Sequence, residues 1–178
     1  MKLLIMCEGA NEKRIIDLLL YNGLLSFGMD DLLGVTTFQA RQITKSAQVR
    51  TELNIYPGKV KVLRIGDRQK DRLVIPKDYK EKIFSVEKYC TLPELEILLI
   101  ISEGKYVEYE KVKSKVRPKE YAKANIKFNK QLYNNSTKFY EDYYGSNINL
   151  LVDSIKEYSR LKGKTHAKDE RCLADLLK

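Results

Sequence analysis

Residues 3–12, with the sequence LLIMCEGANE, decide the fold class of this 178-residue chain. The first half of this stretch is an apolar run typical of a buried parallel strand over residues 2–7. The second half begins an amphipathic pattern that predicts a helix over residues 11–22. Glu8 follows the strand directly, at the carboxyl end of the sheet, where open α/β sheets bind their ligands. Glu12 comes about one helical turn later, so both carboxylates can face one point.

A second apolar run, over residues 60–66, ends in the same way at Asp67. Because it also predicts a strand buried on both faces, Asp67 is expected beside Glu8 and Glu12. Carboxylate oxygens are hard donors that suit a divalent cation such as Mg²⁺, so the three acids predict a metal site. The alternative is that these acids only complement helix dipoles near helix N-termini.

The remaining pattern divides the chain into an α/β core and a helical extension. Further strands are predicted over 34–38 and 83–86 and a helix over 41–54, and this alternating order predicts a parallel sheet with right-handed crossovers. From about residue 105 the strand signals stop, and helices are predicted over 119–141, 147–161 and 169–177. We therefore expect a core over residues 1–104 and a basic, α-helical C-terminal extension over residues 105–178.

Glu96 is an unusual residue within a predicted helix over residues 92–102. Pro93 suits the first turn of that helix, and nearly every residue after Glu96 is apolar, so the helix should be buried. A buried carboxylate is costly unless it is paired or bound to a metal. Glu96 is therefore a candidate functional residue, and the alternative is a salt bridge to a core-facing Lys or Arg.

The net charge of +9 is concentrated in residues 105–138, which contain ten Lys or Arg residues and three Asp or Glu residues. Clustered positive charge with interleaved aromatic residues predicts binding of a phosphate backbone with base stacking. The alternative is a solvated, lysine-rich helical face. The aromatic residues of this segment are Tyr106, Tyr109, Tyr121, Phe128 and Tyr133.

Composition excludes several classes of protein. No stretch approaches the roughly 20 apolar residues of a membrane span, and the short apolar run after Met1 is followed by no cleavage site, so we expect neither a membrane protein nor a signal peptide. The three cysteines are scattered without metal-type spacing, which favours a reducing cytoplasm. A single histidine, His166, argues against most zinc chemistry.

Three short motifs resemble the Toprim domain, the topoisomerase–primase catalytic domain. Glu8-Gly9-Ala10-Asn11-Glu12 is similar to the Glu-Gly-x-x-Glu variant found in OLD-family and RloB-like nucleases. The segment Gly66-Asp67-Arg68-Gln69-Lys70-Asp71 stands where the family carries Asp-x-Asp. Pro93-Glu94-Leu95-Glu96 resembles the Pro-x-Phe-Glu element of the RloB-like branch, and the resemblance covers roughly residues 1–104.

This resemblance implies a metal-dependent nuclease that acts on the phosphodiesters of DNA or RNA with Mg²⁺, or with Mn²⁺ in its place. Glu8, Asp67 and Glu96 then form the catalytic site, with Glu8 as general acid/base or metal ligand, and Glu12 and Asp71 support the metal. It also implies a place in a mobile-element or phage-defence system and a protein partner or homo-oligomer. The residues expected to hold the nucleic-acid backbone are Arg68, Lys70, Arg72, Lys111, Lys113, Lys115 and Arg117.

One departure from the Toprim pattern favours a different function. The family's second Asp, two residues after the first, corresponds here to Gln69, which removes a negative charge from the site. The alternative hypothesis is therefore a non-catalytic nucleic-acid-binding or regulatory module on a degenerate Toprim core. A primase-like nucleotidyl transferase ranks last, because no nucleotide base pocket is identifiable in the sequence.

Overall fold

The structure, a computed structural model, describes residues 1–67 and 72–178. The strands are β1 Lys2–Cys7, β2 Phe38–Gln39, β3 Val60–Gly66, β4 Ile83–Cys90, β5 Lys127–Phe128, β6 Gln131–Leu132 and β7 Glu170–Arg171. The helices are α1 Ala10–Tyr21, α2 Ala47–Ile55, α3 Ile97–Ser102, α4 Tyr106–Val112, α5 Pro118–Asn125, α6 Thr137–Gly145 and α7 Ile148–Lys162. Short 3₁₀ turns lie at Met29–Asp31, Leu33–Val35, Ile43–Lys45, Lys77–Tyr79, Gly163–Thr165 and Leu173–Leu176.

Five strands form one parallel sheet in the order β2-β1-β3-β4-β7. The central pair, β1 and β3, is in register from Lys2 opposite Val60 to Cys7 opposite Ile65, so both strands end at the same edge. The predicted fold class is confirmed: the chain is an α/β protein with a parallel sheet flanked by helices and a largely helical C-terminal part.

The two faces of the sheet belong to two hydrophobic clusters. Leu4 and Met6 of β1 point into the cluster that includes Val49 and Leu53 of α2. Ile5 and Cys7 point the other way, into the larger cluster formed with α1, α3 and the C-terminal helices. This alternation is what a strand buried on both faces requires, and it explains why β1 reads as an uninterrupted apolar run.

The two predicted ranges, 1–104 and 105–178, share this larger cluster. Tyr109, Tyr140 and Tyr158 are buried in it together with Ile5 of β1. The short strand β7 also joins the edge of the main sheet beside β4. The domain boundary at residue 104 stays a prediction. The larger hydrophobic cluster contains residues from both sides of it.

Two predictions about the C-terminal part were wrong. The single helix expected over 119–141 is divided into α5 and α6 by the β5–β6 hairpin, whose turn residues Asn129 and Lys130 have positive φ angles of 47° and 67°. The range 169–177 contains β7 and a 3₁₀ turn instead of a helix, because its backbone pairs with β4. The helix predicted over 147–161 is confirmed as α7.

The helix predicted to begin at Leu92 begins only at Ile97. Thr91 N donates to Gly66 O, so the chain continues alongside β3 after β4 has ended. The first turn forms only where Ile97 N donates to Glu94 O. Glu96 is therefore the residue before α3 and not a mid-helix residue, although it is buried as expected.

Among the described residues, no helix is both long enough and apolar enough to cross a lipid bilayer.

Candidate active site

The carboxyl ends of β1 and β3 place two acids side by side. Glu8 N donates to Ile65 O at 2.8 Å, which ties the residue after β1 to the end of β3. Asp67 follows Gly66, the last residue of β3. The two carboxylates therefore leave neighbouring strands at one edge of the sheet, as their positions in the sequence predict.

Two further acids complete the group. Glu12 lies in the first turn of α1, and Glu96 lies in the turn that leads into α3. All four carboxylates line one cavity of about 350 Å³. We call it the acidic cavity, and its lining residues are Glu8, Gly9, Ala10, Asn11, Glu12, Arg41, Asp67, Leu95, Glu96, Lys119, Asn135 and Thr137.

Asp67 has the most perturbed environment of the four acids. Its Oδ1 is buried and has no hydrogen-bond partner among the described residues. Burial is the largest cause that raises the pKa of its carboxyl from 3.8 to about 8, and the charges of Glu12, Glu8, Glu96 and Glu94 act in the same direction. An ionised Asp67 is therefore costly unless a positive charge enters the cavity.

Gly9 leaves room for the carboxylate of Glu12 at the end of β1. A Cβ at position 9 would lie 2.6 Å from Glu12 Oε2, closer than real Cβ contacts allow. Burial raises the pKa of Glu12, and the charges of Glu8 and Glu96 add to that effect, whereas a backbone hydrogen bond and Lys119 oppose it. The Glu-Gly-x-x-Glu motif thus brings a second carboxylate with a raised pKa into the cavity.

Two cations from distant parts of the chain partly balance the acids. Arg41 Nη2 lies 2.9 Å from Glu8 Oε1, and Lys119 Nζ lies 3.8 Å from Glu96 Oε1. With four carboxylates and two cations, the lining has a formal excess of negative charge when all groups are ionised.

Glu96 also receives hydrogen bonding from a chain of tyrosines. The hydroxyl of Tyr133 donates to Glu96 Oε1 at 2.7 Å. The hydroxyl oxygens of Tyr140 and Tyr133 are 3.1 Å apart. Tyr140 is the donor of this hydrogen bond, because Tyr133 donates its only hydroxyl proton to the carboxylate. Glu96 is only 3% exposed, and these contacts fix its orientation toward the cavity. The salt bridge that was the alternative explanation for Glu96 is present with Lys119, but only at the long distance given above.

The donor set fits a hard divalent cation in its chemistry. Four carboxylates offer oxygen ligands, and the buried oxygen of Asp67, without a partner among the described residues, is the kind of group that a cation would satisfy. No three Asp, Glu, His or Cys side chains among residues 1–67 and 72–178 already stand in a common ligand geometry. Glu8 in particular is turned toward Arg41, so metal ligation requires a change in side-chain rotamers.

Four residues of the predicted site lie outside the described residues: Arg68 and Lys70, expected on the nucleic-acid backbone, Asp71, expected to support the metal, and Gln69. Arg72 is described and exposed, and it lines a second cavity instead of the acidic one.

The predicted basic residues of the extension lie apart from the acids. Lys111, Lys113, Lys115 and Arg117 are placed on the end of α4 and on the segment before α5, and none of them lines the acidic cavity. Lys113 pairs with Glu110 at 2.6 Å. Their contact with nucleic acid stays a prediction.

The idea that aromatic residues of this segment stack on bases was wrong for three of them. Tyr109, Tyr121 and Tyr133 are at most 8% exposed, because they pack into the hydrophobic cluster under α3. Tyr109 and Tyr121 lie on the buried sides of α4 and α5, and Tyr133 follows β6. The sequence alone does not distinguish such buried aromatic residues from a stacking platform.

The sequence-based prediction missed Arg41, Lys119 and Tyr133 as neighbours of the acids. Lys119 lies in the basic segment but is not distinguished there from its neighbours, since only the fold brings α5 against α3. Arg41 follows β2, whose pairing with β1 carries it to Glu8. No signal in the sequence identifies it.

The chain matches no family model, no curated protein and no solved structure.

Proposed function

We propose that this chain is a metal-dependent nuclease of the Toprim type that cuts nucleic-acid phosphodiesters. One observation carries the proposal: four carboxylates from β1, α1, β3 and the start of α3 converge on one cavity, where Asp67 Oδ1 is buried without a partner among the described residues. A structural role explains such a group poorly, because acids that only stabilise a fold are paired or exposed.

Glu8, Asp67 and Glu96 are the residues that would hold the cation, with Glu12 in support. A bound Mg²⁺ or Mn²⁺ supplies a positive charge that orients a phosphate and activates a water molecule. Asp67 must be ionised to act as a ligand, and the cation is what makes that ionisation favourable in this setting.

The other residues of the cavity have roles in binding and charge balance. Lys119, within 3.8 Å of Glu96, can turn toward a phosphate oxygen as negative charge develops there. Arg41 holds Glu8 at the mouth of the cavity. In the alternative role of general base, Glu8 would leave Arg41 and accept a proton from the attacking water, and Arg41 would become available to the substrate.

The substrate is DNA or RNA, and the chain acts in the cytoplasm, in a mobile-element or phage-defence system, together with a protein partner or a second copy. These parts of the proposal follow from the Toprim resemblance, from the positive charge of the chain and, for the cytoplasm, from its scattered cysteines.

A second function is favoured by a specific observation. Glu8 and Glu96 are already next to cations, at 2.9 and 3.8 Å, and Gln69 replaces a family carboxylate. If these ion pairs are permanent, the chain is a non-catalytic nucleic-acid-binding module on the same fold.

A cleavage assay distinguishes the two functions. Labelled DNA and RNA, single- and double-stranded, are incubated with the protein in Mg²⁺, Mn²⁺ or EDTA. The nuclease proposal predicts cleavage only with a divalent cation. It also predicts that Glu8→Gln abolishes cleavage while the circular dichroism spectrum and strand binding are kept, because the amide keeps the size and removes the charge.

The matched control is Glu157→Gln, at a residue of α7 that pairs with Arg160 far from the cavity lining. It should cleave like the wild type. Binding without cleavage under every metal condition would instead establish the non-catalytic function.

A further inference from the structure

A basic groove lies on the face of the sheet that carries α2. Its volume is about 860 Å³, and its lining consists of Arg64, Arg72, Leu73, Val74, Ile75, Lys80, Val86, Lys88 and Asp169. Among these described residues there are four cations and one carboxylate. We propose that this basic groove binds the phosphates of the nucleic-acid strand whose reacting phosphodiester lies in the acidic cavity.

The floor of the groove places two cations side by side. Arg64 of β3 and Lys88 of β4 are directly paired in the register of the sheet, so their side chains project from the same face. The backbones of the two strands are about 4.8 Å apart. Lys88 Nζ pairs with Asp169 Oδ2 at 2.8 Å, so the one carboxylate of the lining balances one of its four cations. Arg64 is only 3% exposed and donates to Arg41 O, so it adds positive potential to the floor of the groove. Arg72 and Lys80 are the exposed cations of the lining that a phosphate can reach.

The wall of the groove is held in a defined conformation. The side-chain amide of Gln42 donates to Arg72 O at 3.0 Å and accepts from Val74 N at 2.9 Å. This two-point contact fixes the backbone that carries Arg72. The groove is therefore prepared for a ligand before the ligand arrives, which lowers the entropy cost of binding.

A single residue connects the groove to the acidic cavity. The guanidinium of Arg41 contacts Glu8 in the acidic cavity, and the carbonyl of the same residue accepts a hydrogen bond from Arg64 Nη2 at 3.4 Å. Gln42, which fixes the wall of the groove, is the next residue. The two sites are thus adjacent at Arg41, which is the arrangement that a strand bound in both would need.

The negative charge of the acidic cavity explains why a nucleic-acid strand would need a basic site beside it. The four carboxylates of the acidic cavity repel a polyanion, so the flanking phosphates need positive charge close by to keep the strand in place. The basic groove supplies such charge beside Arg41. The inference rests on the proposed function, because the strand that the groove binds is the substrate of the acidic cavity.

The sequence-based alternative places the strand on Lys111, Lys113, Lys115 and Arg117. Those residues line neither the acidic cavity nor the basic groove. The experiment therefore compares two double variants that remove equal charge from exposed positions: Arg72→Ala with Lys80→Ala in the groove, and Lys111→Ala with Lys115→Ala on the extension.

Binding of a fluorescein-labelled single-stranded DNA and RNA is measured by anisotropy in EDTA, so that cleavage does not interfere, over about 50 to 200 mM salt. Loss of two phosphate contacts reduces the slope of log K against log salt by about 1.4 to 1.8. We expect this reduction in the groove variant and a wild-type slope in the extension variant. Equal melting temperatures establish that both variants are folded.

A wild-type slope in the groove variant overturns the inference, as does a wild-type protein that binds no strand. Competition by AMP as effective as that by the unlabelled strand also overturns it, since the groove is then a mononucleotide pocket. Metal-dependent cleavage of the same strands is scored separately. If the groove variant keeps the wild-type slope while the wild-type protein cleaves the strands, only the groove inference is refuted. If the groove variant has a reduced slope while the wild-type protein cleaves nothing, the groove inference is supported and the nuclease proposal is refuted.

Discussion

Replacing Asp67 by Asn should stabilise the cation-free protein, and the gain should grow with pH. In the folded protein the pKa of Asp67 is about 8, against 3.8 for an unperturbed Asp. Because the folded pKa is raised, the folded state binds more protons than the unfolded state between these two values. Stability from this group is therefore present at low pH and is lost as the pH rises toward 8.

The magnitude follows from the size of the shift. Each pH unit inside the window costs the wild type up to about 1.4 kcal/mol of unfolding free energy. The amide of the Asp67→Asn variant does not titrate, so the variant avoids this loss. Between about pH 5.5 and 7.5 the stability of Asp67→Asn relative to the wild type should rise by about 2 to 3 kcal/mol.

Urea unfolding followed by circular dichroism in EDTA, at several pH values, measures this difference. Asp169→Asn is the matched control, because the lowered pKa of Asp169 places its titration below this range, and its effect should not change with pH. Addition of Mg²⁺ at about pH 7.5 should raise the stability of the wild type more than that of Asp67→Asn. A stability difference that is the same at every pH would refute the reasoning that Asp67 is a buried, uncompensated acid.

Three further predictions concern the same site. Gly9→Ala should lower metal-dependent cleavage by roughly ten- to a hundredfold, because its Cβ would displace Glu12 Oε2 from a position only 2.6 Å away. Its melting temperature should change little, since the extended backbone at residue 9 (φ −132°) accepts any residue, and a large loss of stability would contradict this account. Tyr133→Phe should lower the free energy of unfolding in urea by about 1.5 to 3 kcal/mol, because Glu96 loses a charge-assisted hydrogen bond. Tyr121→Phe is the control and should lower it less, since the Tyr121 hydroxyl lies 3.3 Å from Glu108. Equal losses would count against a special role of Tyr133. The affinity for Mn²⁺, measured by calorimetry, should rise by up to about tenfold per pH unit from about pH 6 to 8, because Asp67 must lose its proton to bind the cation. An affinity independent of pH would exclude Asp67 as a ligand.

The part of the site that the sequence predicts is the part that strand ends determine. Glu8 and Asp67 follow apolar runs that are buried on both faces of a parallel sheet, and such strands have a direction and a common edge. Once the pattern of strands is recognised, the neighbourhood of these acids follows from topology. Glu12 follows from helical periodicity in the same way.

The rest depends on packing between distant segments. Tyr133 reaches Glu96 from 37 residues away, through a hairpin whose turn has positive φ at Asn129 and Lys130. Neither residue is a glycine, so the sequence carries no strong sign of that turn, and the pattern favoured one long helix. Arg41 and Lys119 reach the cavity in a similar way. Short elements position them, and no periodic pattern in the sequence indicates that position.

The claim on which the proposed function depends is that the acidic cavity holds a divalent cation. Crystals grown with MnCl₂, measured at a wavelength with strong manganese anomalous scattering, test it directly. We expect an anomalous peak in the cavity within about 2.3 Å of oxygens of Asp67 and at least one of Glu8 and Glu96, and no such peak in crystals of Asp67→Asn. A wild-type map without a peak there, with Glu8 still on Arg41 and Glu96 still near Lys119, would show that the cavity is not a cation site.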